Sequence, residues 1–277
     1  LQSDHIKTLM YENDSSRVFN GVDIKGGVVV TYYSDKEAFE PIAVFIANPI
    51  LNSIYQKVKS DLSENIGDLV HSPDSFRFTD ILFKENPKLL GRTDRSHAKA
   101  VSSSVFERYP EIFSSKKNSD DMVAVVGRRD GERVVRYIKD SYLNDSGNKY
   151  HWKVLVAGAI GTGSFGEALS ELIVVGPFFS HTQTFLSMGE FSSEDEARAL
   201  SKYLSTKFAR ALLGIMKTTQ NNQSRVVWSK IPLQQFSAAS DIDWSQSVAD
   251  VDKQLYKKYS LNQKEIDFIE FHVKEMK

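Results

Sequence analysis

The segment from residue 193 to residue 217 constrains the fold of this chain most strongly, because its apolar residues recur at helical spacing. Ser193 and Glu196 occupy the positions of a capping box, which typically begins a helix. The apolar positions then advance in steps of three and four residues, at Ala197, Leu200, Leu204, Phe208, Leu212 and Ile215. We therefore expect one long helix with one face buried in a core.

The opposite face of this expected helix is cationic. Its side chains are those of Arg198, Lys202, Lys207, Arg210 and Lys217. Between Ala197 and Ser240 the sequence contains seven Lys or Arg residues and no Asp or Glu. The formal net charge of the whole chain is only −1. Attraction for a polyanion would therefore come from a local patch, and this face is the first candidate.

A polar segment that is rich in amide side chains follows the helix. It contains Thr218, Gln220, Asn221, Asn222, Gln223 and Arg225, with Lys230 shortly afterwards. Asn and Gln can each form two hydrogen bonds with adenine, and Arg can do the same with guanine. The segment therefore favours contact with DNA bases beside the cationic face. A polar helix end whose cations complement the helix dipole would have the same composition, and this alternative stays open.

A β-hairpin is predicted between Asp121 and Ile138. Two β-rich arms flank Asp130–Gly131, a dipeptide typical of a type I′ turn. The cations at its tip and along one arm are Arg128, Arg129, Arg133 and Arg136. Such a ribbon could contact DNA phosphates or enter a groove, and a charged, solvated hairpin end is the alternative.

Four stretches of the sequence resemble a known family. They are VFNGVDIKGGVVVTYY (18–33), TKFARALLGIMKTTQ (206–220), WSKIPLQQF (228–236) and DIDWSQSVADVDKQLYKKYSLNQKEIDFIEFHVKEM (241–276). Together they resemble the C-terminal target-recognition, or specificity, region of adenine-specific (N6) DNA methyltransferases of type II restriction–modification systems. The most similar members fuse modification and restriction in one polypeptide. The resemblance spans nearly the whole chain but is patchy between residues 35 and 123.

The resemblance implies an α+β fold, with a mixed sheet, hairpins and several long helices. Residues 1–45 would be the terminal β-hairpin of a Rossmann-like methyltransferase sheet. Residues 46–240 would form the target-recognition domain, and residues 241–277 a C-terminal helical segment packing on it. The implied partners are duplex DNA and the catalytic domain of the same polypeptide.

In such an enzyme the catalytic domain binds S-adenosylmethionine and would precede Leu1. No cofactor is expected in this chain, and it should be inactive alone, because it lacks the cofactor loop and the catalytic Asn/Asp-Pro-Pro-aromatic motif. Asn48–Pro49 is followed by Ile50 rather than a second proline, so Pro49 is interpreted as the first residue of a helix.

Two other functions were considered from the residues. Asp74, Asp80 and Lys84 have a faint likeness to the carboxylate–carboxylate–lysine set that holds Mg²⁺ in restriction nucleases. The Lys lies four residues after Asp80, however, which would direct it away from the site on a strand. A restriction endonuclease part and a protein-interaction module both remain as alternatives.

A glycine-rich loop follows the predicted strand at residues 152–159. Gly161, Gly163 and Gly166 fit the pattern G-x-G-x-x-G of dinucleotide sites. No long capped helix follows, and the residue about 20 positions after the first glycine is His181 rather than an acid. We therefore expect a mobile glycine loop, which could become ordered on DNA.

The composition excludes several chemistries. The chain has no Cys, so it has no disulfide, cysteine nucleophile or thiolate metal ligand. It contains no apolar run long enough to span a bilayer, and its first residues lack the apolar core of a signal peptide. These features favour a cytoplasmic protein without a membrane partner.

Overall fold

The computed structural model describes residues 3–276, except residues 13, 23, 25, 41, 43, 93–96 and 146. In chain order the strands are β1 (Ile6–Glu12), β2 (Val28–Tyr33), β3 (Val70–His71), β4 (Met122–Arg129), β5 (Glu132–Lys139), β6 (Trp152–Ala157), β7 (Ile173–Val175), β8 (Phe179–His181) and β9 (Phe185–Phe191). The helices are α1 (Pro49–Val58), α2 (Asp80–Glu85), α3 (Val105–Arg108), α4 (Glu194–Ser205), α5 (Lys207–Met216), α6 (Arg225–Trp228), α7 (Val248–Lys258) and α8 (Gln263–His272).

The strands form three sheets, so the predicted α+β class is confirmed. The largest sheet has the order β3-β9-β6-β7 and is antiparallel throughout. A second sheet has the order β5-β4-β8, in which β4 and β8 are parallel. The third sheet contains only β1 and β2. Antiparallel neighbours can be joined by a short turn, as β4 and β5 are by Asp130 and Gly131.

The main core lies between the four-stranded sheet and the helices. Val154, Val156, Leu186 and Met188 of β6 and β9 pack with Leu200 of α4, and all five are fully buried. Helices α1, α5, α7 and α8 contribute further apolar side chains to the same cluster. The apolar face predicted from residue 197 onward is therefore a core face, as its spacing indicated.

A second core lies under the sheet of β4 and β5. Val123, Val125 and Ile138 pack there with Phe106 of α3 and Leu82 of α2. The predicted hairpin between residues 121 and 138 is confirmed, with Asp130 and Gly131 at positive φ angles of 53° and 81°. These angles belong to the type I′ turn that matches the twist of the strands.

The predicted long helix after Ser193 is wrong in one respect, because it is two helices. The Ser193–Glu196 capping box begins α4 as expected, but the backbone of Thr206 is extended, with φ −62° and ψ 148°. Thr206 Oγ1 donates to the carbonyl oxygen of Tyr203 and accepts a hydrogen bond from the amide of Ala209. Thr206 therefore ends α4 and caps α5, a local competition that apolar periodicity does not report.

The helix expected from Pro49 is present and is short. Pro49 is the first helical residue, and Asn48 accepts hydrogen bonds from the amides of Ile50 and Leu51. Helix α1 ends at Val58, and residues 59–61 and 66–69 form separate 3₁₀ turns. Within the described ranges, no helix combines the length and the apolar character that crossing a bilayer requires.

The β1–β2 hairpin carries many exposed apolar side chains. Leu9, Met10, Val29, Val30 and Tyr33 are each between 42% and 65% exposed. The hydrogen bonds and ion pairs that the described residues of this hairpin make stay within residues 3–45. The hairpin therefore leaves apolar surface unburied on this chain.

Candidate nucleic-acid interface

The cationic face predicted on the long helix is not a free surface. Lys202 Nζ donates to the carbonyl oxygens of Trp244 and Gln246, each at 2.6 Å. Lys207 Nζ lies 2.6 Å from Glu270 Oε2, and its side chain is only 15% exposed. The segment after residue 240 thus covers these two lysines, and the expectation that they face solvent is wrong.

Two further cations of that face are more deeply buried. Arg210 is 2% exposed, and its Nε donates to the carbonyl oxygen of Ser205 at 3.3 Å. Burial lowers its pKa below the ordinary value, although the guanidinium remains charged. Lys217 is 8% exposed, and its Nζ donates to the carbonyl oxygen of Ile160 at 2.9 Å. Neither side chain is available at the surface as expected.

Arg198 is the member of the predicted face that remains exposed, and its Nε donates to Glu194 Oε1 at 2.7 Å. The break at Thr206 is one reason for the error, since it alters the direction of the second half of the segment. Long cationic side chains can also lay their stems along a core while their heads find carbonyl partners. Residues 197–240 contain no Asp or Glu, so the local sequence did not predict the contact of Lys207 with the distant Glu270.

The amide-rich segment after α5 is exposed, with one exception. Thr218, Gln220, Asn221, Gln223 and Arg225 all face solvent. Asn222 is fully buried, so its expected contact with a partner is wrong for this structure. The backbone carbonyl oxygen of Asn222 accepts from Trp228 Nε1 at 2.8 Å, and its backbone N–H donates to the carbonyl oxygen of Gly158. The anchoring of Asn222 beneath the segment leaves its neighbours turned outward.

The end of β6 and the glycine loop hold this segment in place. Asn221 pairs with Ala159 as an isolated β-bridge, and the amide of Ile160 donates to the carbonyl oxygen of Gln220 at 2.9 Å. A Cβ on Gly163 would lie 2.5 Å from the Cα of Thr219. Only glycine permits so close an approach, so the loop of residues 158–167 and the amide-rich segment form one unit.

The tip of the β4–β5 hairpin presents three exposed arginines, Arg128, Arg129 and Arg133. Arg129 Nε lies 3.9 Å from Glu107 Oε1, and Arg133 Nη1 lies 2.7 Å from Glu171 Oε2. Arg136 is half-buried, and its Nη1 donates to the carbonyl oxygen of Val135. The predicted cluster of cations is therefore confined to the tip.

The hairpin tip and the amide-rich segment are connected through residues 182–184. The amide of Thr182 donates to the carbonyl oxygen of Val126 in β4, and the amide of Gly158 donates to the carbonyl oxygen of Thr184, each at 2.9 Å. The C-terminal ends of β4 and β6 therefore lie at the same edge of the sheets. We call residues 128–133, 159–164, 182–184 and 218–225 the sheet-end surface. Its exposed cations Arg128, Arg129, Arg133 and Arg225 are accompanied by Asp130 and Glu132.

The remaining predicted residues lie at the margin of this surface. Arg225 is exposed, and its Nε donates to the carbonyl oxygen of Val70 at 3.0 Å, which fixes the direction of its guanidinium. Lys230 is half-buried after α6. Arg225 can therefore offer its other nitrogens to a ligand without first losing rotamer freedom.

A buried polar cluster supports the sheets behind this surface, and the sequence did not reveal it. His181 Nε2 lies 3.1 Å from Ser187 Oγ, which also accepts from Asn148 Nδ2 at 2.9 Å. Lys153 Nζ donates to the carbonyl oxygens of Asn148 and His151. Burial lowers the pKa of His181 to about 4 and that of Lys153 to about 7. Because both residues are fully buried, the cluster serves the fold and not a ligand.

The residues considered for a nuclease site are dispersed. Asp80 and Lys84 lie on α2 and not on a strand, and Asp80 Oδ1 is 2.8 Å from Lys99 Nζ. Asp74 accepts a hydrogen bond from Gln183. In the ranges that the structure describes, no group of three or more His, Cys, Asp or Glu side chains could hold a metal ion.

A scan against protein-family models and a search of curated proteins found no match to this chain.

Proposed function

We propose that this chain is the DNA-recognition part of an adenine-specific DNA methyltransferase of a type II restriction–modification system. It binds duplex DNA through the sheet-end surface and presents the target adenine to a catalytic domain. That domain transfers the methyl group of S-adenosylmethionine to a base flipped out of the duplex. In this proposal the protein is cytoplasmic, where such DNA is found.

One observation carries the proposal: three polar segments that are distant in sequence converge at one edge of the sheets. Amide side chains of Gln220, Asn221 and Gln223 provide paired donors and acceptors of the kind that read base edges. The exposed arginines Arg128 and Arg129 lie at the hairpin tip, which residues 182–184 connect to that segment, and they can neutralise phosphates. The covered cations of α4 and α5 have no part in this interface.

The apolar β1–β2 hairpin supports the second half of the proposal. Its exposed side chains, including Leu9, Val29 and Tyr33, would be buried if the hairpin completed the Rossmann-like sheet of the catalytic domain. The same surface favours a second candidate function, in which the chain is a protein-interaction module that does not bind DNA. Binding to duplex DNA separates the two.

The test is a salt titration of duplex binding by this chain and by the triple variant Gln220→Ala, Asn221→Ala, Arg225→Ala. We expect log K of the unaltered chain to fall with log salt by about 0.9 for each phosphate neutralised. We expect the triple variant to bind roughly 10-fold or more weakly, since each lost base contact costs about 1–3 kcal/mol.

The charge-matched control is Lys257→Ala, which also removes one positive charge, from an exposed lysine on α7. This control should bind DNA as the unaltered chain does. Negligible duplex binding at low salt by the unaltered chain, together with binding of a separately produced catalytic domain, would favour the interaction module instead.

A further inference from the structure

The glycine loop of residues 160–167 encloses the carboxylate of its own Glu167. The amide of Thr162 lies 2.9 Å and that of Gly163 3.0 Å from Glu167 Oε2. Thr162 Oγ1 donates to Glu167 Oε1 at 2.7 Å. Two successive backbone amides and a hydroxyl therefore converge on one anion.

This arrangement has the geometry of an anion-binding concavity, in which successive N–H groups point to one place. Gly161 and Gly163 have positive φ angles of 64° and 93°, which turn the amides inward. A Cβ on Gly161 would collide with the Glu167 carboxylate. The glycines thus create the concavity and leave room for the group inside it.

Two buried cations lie behind the concavity. Lys217 Nζ is 3.8 Å from Glu167 Oε2, and the Lys217 side chain is 8% exposed. Arg210 is 2% exposed, and its Nη1 has no hydrogen-bond partner among the described residues. Arg210, Lys217, Glu167 and Ser164 line one cavity of about 10 Å³, room for a single water. Within the described residues, Glu167 is the sole acid that lines it.

Glu167 is held there as an anion. Burial raises its pKa, but the hydrogen bonds from Thr162 and Gly163 and the charge of Lys217 outweigh this and lower the pKa below the ordinary value. Arg210 also feels the charge of Asp252 on its other side. Arg210 lines the same cavity but its charge is offset by Asp252, so Lys217 is the cation that would attract an incoming anion.

We propose that the loop of residues 160–167 is a binding site for a phosphate-type oxyanion, and that Glu167 occupies it in the free protein as an internal competitor. An incoming phosphate takes the amides of Thr162 and Gly163 and displaces the carboxylate toward solvent. Glu167 is 16% exposed, so a path outward exists. The duplex backbone of the proposed function and a free phosphate group share this chemistry, and the site itself does not depend on which is the source.

The first arm of the test measures binding of inorganic phosphate to the full chain and to Glu167→Ala by calorimetry and by the amide NMR shifts of Thr162 and Gly163. If Glu167 fills the site at least about 90% of the time, its removal tightens phosphate binding about 10-fold or more. Adding Lys217→Met to Glu167→Ala should abolish most of this gain. Equal phosphate affinity with and without Glu167, or a gain that survives Lys217→Met in a folded protein, overturns the proposal.

The matched control is Asp195→Ala, which removes one exposed carboxylate at the start of α4, outside both the concavity and the sheet-end surface. It should leave phosphate affinity unchanged within about twofold, since exposed charges are screened. If Glu167→Ala fails to fold, Glu167→Gln decides, because the amide oxygen still accepts from Thr162. That variant must also bind phosphate more tightly than the unaltered chain, and equal affinity overturns the proposal.

The second arm identifies the source of the anion with a duplex oligonucleotide. Tighter duplex binding by Glu167→Ala than by Asp195→Ala, with the gain lost when inorganic phosphate is added as a competitor, supports a DNA phosphate as the ligand. A gain for inorganic phosphate without a gain for the duplex supports a free phosphate group. If no variant binds duplex while Glu167→Ala binds phosphate, the proposed function fails and this inference stands.

Discussion

The face of α4 and α5 and the sheet-end surface both contain cations. Most cations of the first are covered by this chain, whereas those of the second are exposed. Lys207, Arg210 and Lys217 are covered or buried and hold carbonyl or carboxylate oxygens of this chain. Arg128 and Arg129 are exposed at a turn, where Arg129 lies near the exposed Asp130 and Glu107. The comparison teaches that a run of cations indicates a ligand surface only if the rest of the fold leaves it uncovered.

The largest expected difference between covered and exposed cations is in how much each stabilises the fold. We expect Arg210→Ala to lower the free energy of unfolding by about 2–4 kcal/mol, because it removes a buried side chain and its hydrogen bond to Ser205. Arg198→Ala, on the exposed side of α4, should cost only about 0.3–0.5 kcal/mol, the value of a surface pair with Glu194. Urea unfolding measures both. Equal losses would show that the two faces do not differ.

A second prediction uses the pH dependence of stability to sharpen the comparison. Asp252 is 3% exposed, and its carboxylate accepts the amides of Lys207 and Phe208 at the start of α5. Burial raises the pKa of Asp252 from 3.8 to about 6, although these hydrogen bonds oppose the shift. Between these values the folded protein binds a proton that the unfolded chain does not. The Asp252 contribution to stability therefore rises as pH falls from 6 toward 4.

The measurement is urea unfolding of the unaltered chain and of Asp252→Asn between pH 7 and pH 4.5. Other carboxylates, such as Glu167, have lowered pKa values and act in the opposite direction, so the difference between the two proteins is the quantity to follow. Stability of the unaltered chain relative to the variant should rise by about 2 kcal/mol on acidification. A difference that stays constant with pH would contradict the raised pKa.

The smallest expected effect is on duplex binding, and it compares Arg128 at the hairpin tip with Arg136 further along β5. Arg128→Ala should reduce the slope of log K against log salt by about 0.9 and weaken duplex binding severalfold, if its guanidinium neutralises one phosphate. Arg136→Ala should leave the slope unchanged, because its half-buried guanidinium already donates to Val135. Fluorescence anisotropy across salt concentrations measures both. A slope change for Arg136→Ala but none for Arg128→Ala would reverse our placement of the interface.

Much of the local structure could be predicted from the sequence. The capping boxes at Ser193 and Asn262 both begin helices, and Asp130–Gly131 makes the expected turn. These features depend on neighbours within four residues, so the printed order of residues contains the necessary information. The break at Thr206 was missed because a hydroxyl that caps one helix and closes another looks the same in sequence as a helical threonine.

The candidate site was predicted only in part, for a different reason. The exposed amides of the segment after α5 were identified from composition, which suits base contact. Burial of Asn222 could not be anticipated, because it depends on Gly158 and Trp228, which reach it through the end of β6 and through α6. The convergence of the hairpin tip with this segment also required the parallel pairing of β4 and β8.

The sequence by itself determined where α1 and α4 begin, which faces are apolar and which turn closes the β4–β5 hairpin. Only the tertiary structure decided which cations are free and which are committed to the fold. The physical reason is that helix caps and turns form between near neighbours, whereas the burial of a charge depends on segments that arrive from far along the chain. Glu270 reaches Lys207 across 63 residues, and no local pattern records that distance.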